Sequence, residues 1–198
     1  MLKAQNSKLI THSQNILLNL RFYEFKSIRT LMTKRCFASL VLLLLTATAC
    51  IPQVPKGPPA RLPSFVFYTL EGNKAVNQDA LAKEGNVVLI FFDPGCSHCR
   101  KEISALGDNF KEVKQAMLYL VSQQERPLVR EFMNSYGKKI RDKPNVHVLI
   151  DSHYQFLPLF NPVQYPALYV YGEDRKLKTY IDGEKPIAKV LSAINSGY

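Results

Sequence analysis

Cys96 and Cys99 are the side chains best placed to do chemistry, in the stretch FFDPGCSHCRKE at residues 91–102. Two residues separate them, His98 is one of the two, and an apolar run leads in. A pair at this spacing can be half of a metal site, a structural crosslink, or a dithiol that exchanges electrons. A tetrahedral zinc site needs two further ligands, and His98, His147 and His153 show no paired ligand spacing. A crosslink closing so short a loop removes little entropy from the unfolded chain. Electron exchange is the leading account, with Cys96–Cys99 as a redox-active disulfide and neither metal nor other cofactor expected.

The compartment decides whether such a disulfide persists, so the N-terminus matters. From Met32 the sequence reads MTKRCFASLVLLLLTATAC: basic Lys34 and Arg35, an apolar run from Phe37 to Leu45, then small residues ending at Cys50. That is the order of a secretory signal. Its apolar core is shorter than the ~20 residues a spanning helix needs. Ala47, Thr48 and Ala49 before Cys50 resemble a bacterial lipobox, although Ala47 stands where Leu is most common. A lipobox implies that Cys50 becomes a lipid-modified N-terminal cysteine. The alternative is an ordinary cut near Ala49 that leaves Cys50 free. Residues 1–31 fit neither signal nor domain; they read as an over-called start upstream of Met32 or as a long basic region.

The signal reading changes the charge argument. The formal net charge is +10. Residues 1–49 hold seven of the 26 basic side chains and one of the 16 acidic ones (Glu24), so the remainder carries +4. No basic run or basic–aromatic stripe remains to suggest nucleic-acid binding. Of four cysteines, Cys36 leaves with the signal and Cys50 carries lipid, which leaves Cys96 and Cys99 in an oxidising setting.

The elements that must position the dithiol follow from pattern. Prolines at 52, 55, 58, 59 and 63 forbid helix and favour an extended stalk over residues 50–63. The domain expected over 64–198 opens with SFVFYTL and KAVN flanking Gly72 and Asn73, a hairpin signal. NVVLIFF (86–92) is a continuous apolar run, as in a strand covered on both faces. A helix is predicted from about Ser97 to Ala116, then a strand over 117–122. Pro127 suits the first turn of a helix running to Gly137, its expected C-cap. A strand over 145–150, a short helix around 153–160, an antiparallel hairpin over 166–171 and 176–181, and a helix from near Pro186 complete the chain. This is an α/β fold with a mixed central sheet and helices on both faces. On the helical wheel Cys99, Ile103, Leu106, Phe110 and Val113 form one stripe toward the sheet, with Glu102 within ~60° of Cys99. Cys96 precedes the helix, where unpaired N–H groups favour an anion.

A strand, CxxC opening a helix, then βαβ, an X-Pro entering a hairpin and a closing helix resembles the thioredoxin arrangement. The N-terminal hairpin extension, CRKEI (99–103) and FMNSYG (132–137) resemble the TlpA/ResA-like branch of exported, membrane-tethered thiol–disulfide oxidoreductases, over roughly residues 64–196. The resemblance implies that Cys96 attacks and Cys99 resolves. It implies a proton-handling role for Glu102, whose other reading is an ordinary first-turn acid. Pro166 matches the family's cis-proline, with Tyr165 before it touching substrate. His98 adds positive character beside Cys96 or is a solvent-facing spacer. The implied partners are exported thiol or disulfide proteins, a membrane electron donor, and the bilayer through Cys50, with the domain facing the periplasm.

The chain also departs from the family. DPG stands before Cys96 and the sequence has no Trp. Ile90 occupies the place of thioredoxin's buried aspartate, which leaves Glu102 as the carboxylate able to manage the Cys99 proton. Ser-His between the cysteines leaves the direction of transfer open. Other readings are a Sco-like copper-handling protein, whose CxxxC is one residue longer, and an adaptor whose dithiol does little. Peroxiredoxin is disfavoured because no Thr-x-x-Cys motif appears.

Overall fold

The computed structural model describes residues 57–197. The signal-like segment, Cys50 and the start of the proline-rich stretch lie outside the described residues.

Seven strands form one sheet: β1 (Val66–Thr69), β2 (Ala75–Asn77), β3 (Asn86–Phe91), β4 (Ala116–Ser122), β5 (Val146–Ile150), β6 (Ala167–Tyr171) and β7 (Leu177–Asp182). Their order is β2-β1-β5-β4-β3-β6-β7. The central trio β5, β4 and β3 is parallel, and β1, β2, β6 and β7 add antiparallel edges. Four helices complete the domain: α1 (Ser97–Asp108), α2 (Arg126–Ser135), α3 (Phe156–Phe160) and α4 (Ile187–Ile194). This is the thioredoxin-like fold with an N-terminal hairpin.

All six residues of β3 are buried, because both faces of the sheet are covered. Val88, Ile90 and Phe92 join a core with α1, α2 and α4. Val87, Leu89 and Phe91 join a second core with Phe156 and Phe160 of α3. Each such side chain taken from water is worth about 1.5–3 kcal/mol, so β3 is the fixed mount from which the dithiol turn projects.

Several boundaries differ from the sequence reading, each for a physical reason. α1 ends at Asp108 rather than near Ala116. Asn109 turns its side chain back onto the Ala105 carbonyl at 2.8 Å, and a 3-10 turn over Phe110–Glu112 leads into β4. Phe110 and Val113 still pack against the core, from outside the helix. Gly137 does not cap α2 in a left-handed conformation. It is buried, and a Cβ there would collide with Met133, so the glycine serves close packing. Residues 57–63, expected as stalk, lie on the domain. The Leu62 N–H donates to Arg175 O and the Leu177 N–H to Ala60 O, both at 2.9 Å, and Arg61 bridges Lys176. The N-terminal hairpin turns at Gly72 and Asn73, both at positive φ. Arg126 of α2 clamps it, donating to Thr69 O at 2.6 Å, Leu70 O at 2.5 Å and Asn73 Oδ1 at 2.5 Å.

Candidate active site

The turn after β3 sets the position of the first cysteine. Asp93 Oδ1 accepts from the Gly95 N–H at 2.6 Å, and Asp93 O accepts from the Cys96 N–H at 3.0 Å. The other carboxylate oxygen accepts from Gln124 Nε2 at 2.8 Å, which ties the turn to the end of β4. Arg100 fastens the same turn from the helix side, donating from Nε and Nη2 to Pro94 O at 3.2 and 3.1 Å while lying over the Tyr136 ring.

Cys96 is the N-cap of α1, with no side-chain cap hydrogen bond. It stands at the end of the helix that favours negative charge. Cys96 is partly exposed and Cys99 has no exposed surface. Both are free thiols. Burial pushes the Cys99 thiol up, well out of the ordinary range. A backbone hydrogen bond from Asp93 opposes this, while Cys96 and Glu102 add to it.

Glu102 is only 4% exposed. Burial pushes its carboxyl up to about 7; the Lys185 amide pulls it down, Glu184 raises it and the Lys185 charge lowers it. Among the described residues its carboxylate accepts one long hydrogen bond, from the Lys185 N–H at 3.4 Å. Asp151, a second buried carboxylate, is handled differently. It accepts from Gln123 Nε2 at 2.7 Å and from the Gln155 and Phe156 N–H groups at 3.0 and 2.7 Å. A buried carboxylate with three good donors is a structural cap, whereas one with a single weak donor is poised to hold a proton.

Pro166 follows a cis peptide bond from Tyr165. Pro166 is buried and its carbonyl accepts from the Gly183 N–H at 2.9 Å. The Tyr165 ring packs on Phe91 at 5.1 Å. Tyr165 and Cys96 both pack against the core that holds Cys99; burial raises the Tyr165 hydroxyl pKa, and Asp93, Cys99 and Cys96 raise it further. His98 is exposed, and its Nδ1 hydrogen-bonds to the Glu184 carboxylate. His98, Gln164, Tyr165, Glu184 and Lys185 border a groove of about 440 Å³. Thus Cys96, His98, Cys99, Glu102, Tyr165 and Pro166 come together, while Cys50 lies outside the described residues.

Asp93, Arg100, Glu184 and Lys185 were not among the residues singled out from the sequence. DPG carried a usable signal, since Asp two residues before Gly commonly closes a turn on its own backbone. Nothing local marked Glu184 and Lys185, which reach α1 across more than eighty residues of chain. Among the described residues no three His, Cys, Asp or Glu side chains come together as a metal site requires.

A model of the AhpC/TSA family matches residues 58–180, well over half of the chain. No curated protein matches the sequence. Among solved structures the chain is similar to DsbF of Mycobacterium tuberculosis, described in mixed oxidised and reduced forms, at 20% identity. That match covers 70% of this chain and 98% of DsbF with a TM-score of 0.58. It is also similar to a secreted M. tuberculosis disulfide oxidoreductase homologous to E. coli DsbE, at 17% identity, 66% and 93% coverage and a TM-score of 0.54. A third similarity is to the peroxidoxin BcpB of M. tuberculosis, at 18% identity, 72% and 98% coverage and a TM-score of 0.58. At these identities the likeness shows the fold, and it agrees with the TlpA/ResA-like resemblance. No helix among the described residues is long and apolar enough to cross a membrane. With a family match spanning the strand, the CxxC helix and the cis-proline hairpin, the chain belongs to the AhpC/TSA family and is a thioredoxin-like oxidoreductase.

Proposed function

We propose that this chain exchanges disulfides with exported proteins through Cys96 and Cys99, acting as a reductase from a lipid anchor at Cys50 on the periplasmic side of a membrane. The observation that carries the reading is the contrast within the first two helical turns: a partly exposed Cys96, a sealed Cys99 and a buried Glu102. The Cys96 thiolate attacks a substrate disulfide and forms a mixed disulfide, and the first substrate sulfur leaves as a thiolate. Glu102 takes the proton from Cys99. The Cys99 thiolate then attacks Cys96, closing Cys96–Cys99 and releasing the second substrate sulfur. The substrate gains two electrons and the dithiol loses two, its two protons passing to the leaving thiolates. Tyr165 and Pro166 border the groove along which the substrate backbone would lie.

Replacing Cys99 by Ser should stall the reaction at the mixed disulfide on Cys96 and so capture the partner. The reading is overturned if Cys99→Ser traps nothing and the wild-type protein does not reduce insulin. Mass spectrometry of the membrane-extracted protein tests the anchor, which predicts a mature chain starting at lipidated Cys50. Peroxide reduction by the same Cys96 is a second reading, favoured by the AhpC/TSA match and the likeness to BcpB. Relative rates with hydrogen peroxide and a protein disulfide separate the two. Copper binding by the reduced domain would favour the Sco-like alternative.

A further inference from the structure

The segment YQFLPLFNPV (154–163) holds no Asp, Glu, Lys or Arg, in a chain that is 21% charged. It carries α3 and the turns on either side of it. Six large hydrophobic side chains are exposed among the described residues, and three of them lie here: Tyr154 at 66%, Leu157 at 44% and Val163 at 76%. Phe156 and Phe160 have no exposed surface, so α3 turns them to the core and leaves Leu157 and Pro158 outside. The segment is fixed to the domain. Asn161, in a left-handed conformation, closes α3 through its N–H to Leu157 O at 3.0 Å. The Val163 and Gln164 N–H groups donate to Tyr180 Oη at 3.4 Å and to Asp182 Oδ1 at 2.7 Å. Single exposed apolar residues are ordinary on a protein surface. Three within ten residues, with no charge among them, mark a surface that can leave water without stripping an ion of its hydration.

The upstream chain joins the domain at this patch. Asn161 Nδ2 donates to Gly57 O at 3.2 Å, and Tyr171 Oη donates to Pro59 O at 3.2 Å. Residues 60–62 then run along 175–177, through the Leu177 N–H to Ala60 O and the Leu62 N–H to Arg175 O, both at 2.9 Å. With Gly57 fixed, the seven residues back to Cys50 reach at most about 25 Å. A domain of this length is about 37 Å across, from a radius of gyration of about 14 Å. A domain wider than its tether is long cannot turn its far side to the surface that holds the anchor. Leu128 and Tyr136, also exposed, belong to α2 and its end, on the opposite face of the sheet from α3. So short a tether also keeps its patch near the anchoring surface at an effective concentration of about millimolar, enough for a contact too weak to hold a free protein.

Building on the lipid anchor proposed at Cys50, we propose that Tyr154, Leu157 and Val163 rest on the surface of the bilayer that holds the anchor. A tyrosine ring, apolar in its body and polar at its tip, suits the headgroup level, and Leu157 and Val163 supply the apolar contact below it. Val163 adjoins Gln164 and Tyr165, which border the groove assigned to substrate. That groove therefore lies close to the membrane plane and takes substrates that are themselves membrane-bound.

The sequence has no Trp, so Val163→Trp and, as a control on the other face of the sheet, Leu128→Trp each carry a single tryptophan. The lipidated proteins are placed in phosphatidylcholine vesicles with or without brominated acyl chains, bromine being a contact quencher. Val163→Trp should lose at least about half of its emission to brominated lipid and shift to the blue, as a tryptophan at the interface does. Leu128→Trp should change little. Adding Tyr154→Ser and Leu157→Ser to Val163→Trp should restore most of the emission, because the patch and not the new ring makes the contact. Quenching at neither position, equal quenching at both, or quenching unmoved by the two serines overturns the proposal. A blue shift without quenching that grows with protein density on the vesicle assigns the patch to a second copy and also overturns it. The mass at Cys50 is read on the same samples. A Cys50 without lipid defeats the anchor and the orientation with it, whereas an unquenched Val163→Trp on a lipidated chain defeats the patch alone. Insulin reduction enters neither reading.

Discussion

Glu102 lies three residues beyond Cys99 on α1, both side chains are buried, and the Glu102 charge makes ionisation of Cys99 harder still. Two acidic groups so placed lose their protons as a coupled pair rather than independently. In the proposed exchange reaction this is the property that lets a single proton be held near Cys99 until the second step needs it gone.

The first prediction concerns stability. The Glu102 carboxyl is pushed up to about 7 from an ordinary 4.5. Between those values the unfolded chain has lost the proton and the folded chain keeps it. Stability must then fall as pH rises across that window and level off above it. The expected loss is about 3 kcal/mol, taking 1.4 kcal/mol per tenfold change in proton affinity. Glu102→Gln should flatten this slope and be the more stable protein at pH 8. Urea unfolding from pH 4.5 to 8 measures it, and parallel slopes for the two proteins would contradict the assignment.

The second prediction concerns rate. Glu102→Gln should slow release of the mixed disulfide while changing attack by Cys96 much less. The pH profile of release should lose the apparent pKa near 7. Stopped-flow reduction of a model disulfide resolves the two steps. Superimposable profiles would make Glu102 structural, with the Cys99 proton passing to water.

Accessibility gives the third. Cys96 is partly exposed and Cys99 has no exposed surface. A neutral alkylating reagent at pH 7 should modify Cys96 at least tenfold faster than Cys99, judged against the opening reactions that expose buried groups. Peptide mapping after timed quenching reads both sites. Equal rates would remove the basis for distinct attacking and resolving roles.

Asp93 supports the fourth. Its carboxylate satisfies the Gly95 N–H and Gln124 Nε2. Asp93→Ala should cost about 1–3 kcal/mol, the range for groups left without a partner. It should also slow attack by Cys96 several-fold, because Cys96 shares the turn. Denaturant titration and the rate with a small aromatic disulfide test the two parts. A loss of stability with unchanged attack would confine Asp93 to folding.

Arg126 gives the last. It makes three hydrogen bonds to the N-terminal hairpin, to Thr69 O, Leu70 O and Asn73 Oδ1. Arg126→Ala should cost about 1–3 kcal/mol and speed amide exchange in β1 and β2 more than in β3. Hydrogen exchange by mass spectrometry separates the regions, and uniform acceleration would mean the hairpin is not a separate unit.

What could be read from the sequence was local and periodic. The five apolar residues of β3 from Val87 to Phe91, the start of α1 at the CxxC and the inward stripe through Cys99, Ile103 and Leu106 follow from pattern alone. The proximity of Glu102 to Cys99 is a helical-wheel fact. The misjudged boundaries turned on side-chain details that periodicity does not encode. Asn109 closes α1 on Ala105, and Gly137 is small because Met133 occupies the space beside it. Glu184 and Lys185 were out of reach for a different reason. Their partners on α1 lie more than eighty residues away, across four strands and two helices, and no short-range rule links them.

Because Cys99 has no surface, a partner protein can approach the redox centre only through Cys96. In the proposed exchange, loading electrons onto the dithiol and handing them to a substrate must therefore use the same sulfur and the same patch of protein around it. A donor and an acceptor cannot be bound there together. They alternate, and an excess of either one blocks the other. Steady-state rates should show parallel double-reciprocal lines and inhibition by surplus donor, as in a turnstile that admits one visitor from one side at a time.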